Sequence, residues 1–106
     1  DLFLMPSTFD PCGLVLREAA ACGTPTLAPT NTSYDEVLTD GVTGFSKKLS
    51  VKQWADYIQK IFSTNIYKNV QSNCQKIGVN WNKRMKDVLN EYEYVIKNYK
   101  SKKEIQ

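Results

Sequence analysis

The chain has 106 residues, 42% of them hydrophobic and 11% aromatic, with a formal net charge of +3 and no histidine. That suits one small domain with one core, and no run approaches the roughly 18 apolar residues of a membrane span. Its three cysteines, Cys12, Cys22 and Cys74, have no CxxC spacing. Zinc sites and disulfide frameworks are therefore disfavoured, and Ser-His-Asp and Cys-His schemes are removed outright. Reduced thiols in a cytoplasmic setting are the default.

The charge is uneven. Residues 1–50 hold six acids and three bases, whereas residues 51–106 hold five acids and eleven bases. Most of those bases are lysines scattered at helical positions, which reads as a solvated helix surface. A nucleic-acid partner would need clustered arginines with exposed aromatics, and neither is evident.

Asp1 runs directly into the apolar stretch Leu2–Met5, which has the character of a buried parallel strand. A buried strand needs neighbours on both sides, so the sequence reads as a piece of a longer chain. Pro6-Ser7-Thr8 ends the strand. Asp10 is placed to cap a helix whose first residue is Pro11, because proline lacks the N–H that would be orphaned there. This helix is expected to reach about Cys22, with Ala19–Ala21 allowing a close approach to the sheet and Gly23 stopping it at C′. Thr24–Ala28 is the next strand. Strand, helix and strand with tight joints imply a right-handed βαβ unit.

Pro29–Ser33 forms a polar loop at the C-terminal end of that strand, the edge that lines the ligand crevice in doubly wound sheets. Ser33 is expected to cap a short helix over Tyr34–Leu38, with Glu36 completing a capping box. Asp40-Gly41 and Thr43-Gly44 read as turns, and Phe45–Lys47 as a short edge strand. The rest is helical. Ser50 caps a stripe of Val51, Trp54, Ala55, Ile58, Ile61 and Phe62. A second stripe runs through Ile66, Val70, Cys74 and Ile77 to Gly78. A third comprises Trp81, Met85, Val88, Leu89, Tyr92, Val95 and Tyr99. Trp54 and Trp81 are both expected in the core. Tyr92, Tyr94 and Tyr99 with Lys97, Lys100, Lys102 and Lys103 resemble an interfacial patch, although a solvated helix is the simpler account. The tail KSKKEIQ is expected to fray.

Candidate chemistry concentrates in Pro6–Pro25, PSTFDPCGLVLREAAACGTP. Asp10 stands at the turn and Glu18 on the helix, with seven residues between them. The backbone N–H groups of Cys12, Gly13, Leu14 and Val15 lie at the helix start, where the dipole and the unused donors favour a diphosphate. With no GxGxxG or Walker pattern this turn is a weak signal alone. Glu18 accepts two hydroxyl donors if it faces a diol, or else pairs with Arg17 on a solvated face. Asp10 contributes about 1 kcal/mol as a cap whatever else it does. Phe9 reads as a hydrophobic staple, and Thr30, Asn31, Thr32 and Ser33 either contact donor hydroxyls or form a generic loop.

The same stretch, with Thr26-Leu27-Ala28 after it, resembles the donor-site signature of family 4 retaining glycosyltransferases, which have the GT-B fold. Pro6, Ser7, Gly13, Glu18, Ala19, Gly23 and Pro25 keep that pattern's register, and Glu36, Asp40-Gly41 and Gly44-Phe45 extend it weakly. The first acid is usually Glu and is Asp10 here, one methylene shorter by about 1.5 Å. The resemblance implies an α/β fold, part of a doubly wound parallel-sheet, Rossmann-like C-terminal domain over residues 1–80. It also implies a final helix, residues 81–106, that crosses back to an N-terminal domain. Glu18 would then bind the nucleotide ribose, and Asp10 would lie near the transferred sugar and its leaving group. The helix start would hold the diphosphate, with Thr30 and Asn31 as further donor contacts.

The implied reaction is transfer of a sugar from a nucleoside diphosphate sugar, most often a UDP-sugar, to an acceptor hydroxyl with retention and without a metal or cofactor. The acceptor would be a glycan, lipid or protein held by the N-terminal domain, at the inner face of the membrane in some cases. The resemblance also implies that this part alone is inactive, because basic residues facing the diphosphate normally lie earlier in the domain. A non-catalytic doubly wound nucleotide-binding or interaction domain is the alternative. A nucleotide-sugar epimerase of GT-B type ranks lower, for want of the two-acid pattern.

Overall fold

The computed structural model describes residues 1–9, 13–78 and 80–105, with side chains up to residue 99. Its order is β1 (Phe3–Leu4), α1 (Leu14–Ala21), β2 (Thr26–Pro29), a 3-10 turn (Ser33–Glu36), β3 (Phe45–Lys47), α2 (Val51–Ser63), α3 (Ile66–Cys74), a second 3-10 turn (Gln75–Ile77) and α4 (Trp81–Ile105). The three strands form one parallel sheet in the order β1-β2-β3. Phe3 and Leu4 lie opposite Thr26 and Leu27, and Leu27, Ala28 and Pro29 lie opposite Phe45, Ser46 and Lys47. The chain is therefore α/β and doubly wound, as expected.

The central strand shows why. All four residues of β2 are buried, and successive side chains point to opposite faces. Leu27 enters a core of Phe45, Trp54, Ile61 and Val70, supplied by β3, α2 and α3. Ala28 enters a second core of Leu16, Tyr34 and Leu38, supplied by α1 and the segment after β2. A strand buried on both faces must be apolar throughout, which is why Thr26-Leu27-Ala28-Pro29 shows no polar alternation. Thr26 is the exception: its Oγ1 is buried with no hydrogen-bond partner among the described residues.

Helix ends follow local chemistry. α1 closes with a full Schellman motif: Gly23 N–H donates to Ala20 O at 2.9 Å, Thr24 N–H donates to Ala19 O at 2.9 Å, and Gly23 takes φ 79. Ser50 Oγ accepts from Gln53 N–H at 3.4 Å at the start of α2. The small residues of α1 accommodate α3 and the second 3-10 turn. Cys74 Sγ reaches Ala20 O at 3.8 Å, and a Cβ on Gly78 would stand 2.9 Å from Ala21 Cα. Burial raises the Cys74 thiol above its ordinary pKa.

Several expectations are corrected. α1 begins at Leu14 with Gly13 as N-cap and no side-chain cap, not at Pro11. Asp10, Pro11 and Cys12 lie outside the described residues. The 3-10 turn is capped by Thr32, whose Oγ1 accepts from Tyr34 N–H at 3.3 Å, rather than by Ser33. Phe9 is 80% exposed and staples nothing.

The largest correction concerns α4. Trp54 is core, but Trp81 is 63% exposed, and Met85, Val88, Leu89, Tyr92, Val95 and Tyr99 are all exposed. α4 keeps its helical geometry through to Ile105, where fraying was expected. Its spacing is amphipathic, but amphipathicity specifies a face that can be buried, not that something buries it. No helix among the described residues is long and apolar enough to cross a membrane.

Candidate functional site

In a parallel sheet the loops after the strands share one edge, and here three converge there: those after β1, β2 and β3. Two side chains hold the first pair together. The Ser7 and Tyr34 hydroxyls, one from each loop, hydrogen-bond at 2.6 Å, and the Tyr34 ring is 1% exposed in the core beneath. The loop after β2 is also tied to its neighbour, because Thr30 N–H donates to Lys47 O at 3.2 Å. Asn31 takes φ 58, the left-handed region that Asn tolerates better than most residues, and its N–H donates to Asp35 Oδ2 at 2.9 Å. Thr32 Oγ1 donates to Pro29 O at 2.9 Å. What read as a generic polar loop is thus a constrained one.

α1 opens at the same edge. Gly13 is buried with φ 58, and a Cβ there would stand 3.2 Å from Val37 Cγ2. Both facts call for glycine: an L side chain disfavours that φ, and Val37 fills the space it would need. The left-handed N-cap turns the chain sharply into α1. Leu14 and Val15, the first helical residues, are 40% and 41% exposed. Their N–H groups have no carbonyl one turn back within the helix, so they are available to an anion at the positive end of the dipole.

Glu18 sits one turn further along α1 and is exposed. The pairing with Arg17 does not form, because Arg17 Nη1 donates instead to Ile77 O at 3.3 Å. No hydrogen bond or ion pair among the described residues ends on the Glu18 carboxylate. It lines a cleft of about 220 Å³ with Leu14, Arg17, Ala21, Cys22 and Trp81. Leu14, Arg17, Glu18 and Ala21 occur at i, i+3, i+4 and i+7, a single face of α1. Larger depressions of about 440 Å³ along α4 and about 340 Å³ between β3 and α2 touch neither α1 nor the loop after β2.

Gly13, Leu14, Val15 and Glu18 are thus gathered on one helix at the sheet edge, with Thr30 and Asn31 on the adjacent loop. Asp10 and Cys12 lie outside the described residues. Glu36 is exposed in the 3-10 turn. Sequence reasoning missed Tyr34, which clamps two loops of the site. It read Asp40 as a turn residue but missed its contacts: Oδ1 accepts from Ser46 N–H at 2.8 Å and from Tyr57 OH at 3.2 Å. Tyr57 packs edge-on to Phe45 at 6.0 Å and lies under Lys47 Nζ at 4.8 Å. Burial, then the neighbouring Asp40 carboxylate, push its phenol up to about 12. No local signal marked Tyr57, since its partners lie ten, twelve and seventeen residues away in the chain.

A parallel sheet with helices on both faces, and with loops and a helix start gathered at its C-terminal edge, defines an α/β domain of the doubly wound class. The comparisons narrow this. The family model described as "Glycosyl transferases group 1" matches residues 1–81. The chain belongs to the group 1 glycosyltransferases.

It is 35% identical over 103 residues to a glycogen synthase of Lactobacillus acidophilus, covering 90% of this chain and 21% of that one. It is 40% identical over 62 residues to a D-inositol 3-phosphate glycosyltransferase of Mycobacterium tuberculosis, covering 58% and 13%. It is also 29% identical over 99 residues to an uncharacterized 41.2 kDa protein in the cps region of Klebsiella pneumoniae, covering 93% and 27%. Among solved structures, sucrose-phosphate synthase from Thermosynechococcus elongatus superposes with a TM-score of 0.79 at 24% identity, over 92% of this chain and 26% of that one. That likeness speaks to fold. The chain spans about a quarter or less of the length of these proteins.

Proposed function

We propose that this chain supplies the donor-binding part of a retaining hexosyltransferase. The substrate is a nucleoside diphosphate sugar, a UDP-sugar by the family resemblance. In the transfer the bond from the anomeric carbon to the diphosphate oxygen breaks, and the diphosphate leaves with the electron pair. The acceptor oxygen bonds the same carbon on the same face and gives up its proton to the departing diphosphate oxygen.

The observation that carries this reading is the pairing on α1. A helix start at the sheet's C-terminal edge offers N–H groups for the diphosphate, and about 6 Å along the axis from Leu14, at 1.5 Å per residue, an unpaired carboxylate faces a cleft. A carboxylate with two oxygens accepts both hydroxyls of a ribose diol. Leu14 and Val15 N–H groups and the helix dipole take the diphosphate charge as it develops; Gly13 lets the backbone come close, and Thr30 and Asn31 meet donor hydroxyls. No metal or cofactor enters this reading. Asp10 is assigned to the sugar or leaving group on its register with Glu18 alone. Acceptor recognition is assigned to the larger part of the relatives that has no counterpart in this chain, so the 106 residues alone bind donor without turning it over.

Saturation-transfer NMR tests the reading. UDP, UDP-glucose, GDP-mannose and ATP are titrated against the chain and against Glu18→Ala. Ribose and diphosphate signals that vanish in a folded Glu18→Ala variant are expected. Equal signals in both proteins would make Glu18 a surface carboxylate and leave a non-catalytic binding domain as the better description.

A further inference from the structure

Thr30 and Asn31, assigned above to donor hydroxyls, stand on a loop, and a loop binds well only where its backbone is held. We propose that Asp35 is the positioning residue of that loop. Its carboxylate fixes Asn31 and ties the loop to β3, and so sets how tightly the sugar half of the donor is bound. The proposal rests on the donor-site reading.

The two carboxylate oxygens of Asp35 go to different elements. Oδ2 accepts the Asn31 N–H at 2.9 Å, and Oδ1 accepts the Ser46 hydroxyl in a longer contact of 3.5 Å. Hydrogen bonds to an ionised carboxylate are roughly twice as strong as those between neutral groups. Ser46 is a firm anchor: it is buried in β3, and its own N–H donates to Asp40 Oδ1 at 2.8 Å. Asp35 is itself set in place, because its N–H donates to Thr32 O at 3.1 Å.

Asn31 needs this hold. At φ 58 it is the only non-glycine residue in the left-handed region among the described residues. Asparagine tolerates that conformation but does not prefer it. Without the bond to Asp35 the loop would populate extended conformations, and ordering it would subtract from the affinity for any ligand it meets. Thr30 is held separately, through its N–H to Lys47 O at 3.2 Å. Both residues therefore have a fixed backbone.

Their roles differ from that of Asp35. The Asn31 side chain is exposed, and its amide makes no hydrogen bond with the described residues. It offers a sugar hydroxyl both a donor and an acceptor. Asp35 has each of its oxygens engaged within the protein, so it acts on the ligand through Asn31.

Ligand-detected NMR tests this by comparing UDP-glucose with UDP and GDP-mannose with GDP. The proteins are the wild-type chain, Asp35→Ala, Asp35→Asn, Asn31→Gly, the double variant Asp35→Ala/Asn31→Gly, and Glu18→Ala, with folding checked by circular dichroism. Asp35→Ala should weaken the sugar nucleotide about fivefold, the effect of one hydrogen bond, and leave its nucleoside diphosphate unchanged. Asp35→Asn keeps a carbonyl oxygen for the Asn31 N–H and should restore most of the affinity. Glycine takes the left-handed region freely but carries no amide. Asn31→Gly should therefore also lose about fivefold, and adding Asp35→Ala should remove nothing more.

Equal losses of sugar nucleotide and nucleoside diphosphate in Asp35→Ala would make Asp35 merely structural and overturn the proposal. Losses that multiply in the double variant would overturn the route through Asn31. Should Asp35→Ala fail to fold, Asn31→Gly decides alone, and an unchanged sugar-nucleotide affinity there overturns the proposal. If Glu18→Ala abolishes binding while Asp35→Ala leaves both ligands unchanged, the proposal falls and the donor-site reading stands. If no nucleotide binds the wild type, both fall.

Discussion

Gly13→Ala isolates the backbone device on which the site depends. Gly13 sits at φ 58 with Val37 Cγ2 3.2 Å from the position of a Cβ. The left-handed conformation costs an alanine about 1–2 kcal/mol. Against this, alanine narrows the unfolded ensemble and returns about 0.4–1 kcal/mol. At 3.2 Å the Val37 methyl must also give slightly, which leaves little room for the backbone to relax away from that φ. The net loss is about 1 kcal/mol, which lowers Tm by about 4–8 °C in a domain of this size. Gly13→Asn adds the same Cβ but tolerates the left-handed region, so its melting point should fall between those of glycine and alanine. Thermal melts followed by circular dichroism give the order. An alanine variant melting at or above the wild type would refute a left-handed N-cap and the entry angle of α1 with it.

Other outcomes follow from single contacts. Trp54→Ala should cost about 3–5 kcal/mol as a core truncation, whereas Trp81→Ala should cost under about 0.5 kcal/mol as a surface change; urea melts of both decide it. Ser7→Ala and Tyr34→Phe should each cost about 1 kcal/mol through loss of the 2.6 Å hydrogen bond, and the double variant should cost less than the sum. The Tyr57 phenol, near 10 unfolded and about 12 folded, favours the neutral form in the fold. Its contribution is complete below pH 10 and lost as pH rises through 12. Allowing for its partial exposure the loss is about 1 kcal/mol, and Tyr57→Phe should flatten that alkaline limb in melts from pH 9 to 12. Thr26→Val removes a buried hydroxyl without a partner and should leave stability unchanged or raise it by up to about 1 kcal/mol.

What could be read from the sequence was what local chemistry decides. The run Thr26-Leu27-Ala28 between a helix stop and a polar loop announced a strand, and Ser50 and Gly23 marked helix ends by mechanisms that act within four residues. Leu14, Val15 and Glu18 could be placed on one helix by spacing alone. The boundary errors arose where two local rules competed. Asp10-Pro11 is a good helix start on paper, but Gly13, buried against Val37 with φ 58, sets the entry. Ser33 and Thr32 are both competent caps, and the hydrogen bond of Thr32 to Pro29 O selects the latter.

Tertiary features were not legible in the same way. The Tyr34–Ser7 clamp spans 27 residues of sequence, and Asp40 meets Tyr57 only once β3 and α2 are packed. Trp81 belongs to a regular apolar stripe, yet that stripe is exposed. Periodicity says which residues share a face; the surface that face meets is a matter of the assembled fold.

The central claim is that α1 and the loop after β2 form the donor site, and amide chemical-shift mapping with UDP tests it most directly. The account predicts shifts concentrated at Leu14, Val15, Arg17, Glu18, Thr30 and Asn31, saturating together and disappearing in Glu18→Ala. Shifts confined to the cleft of Lys47, Gln53, Tyr57 and Lys60, or no saturable shift anywhere, would contradict it.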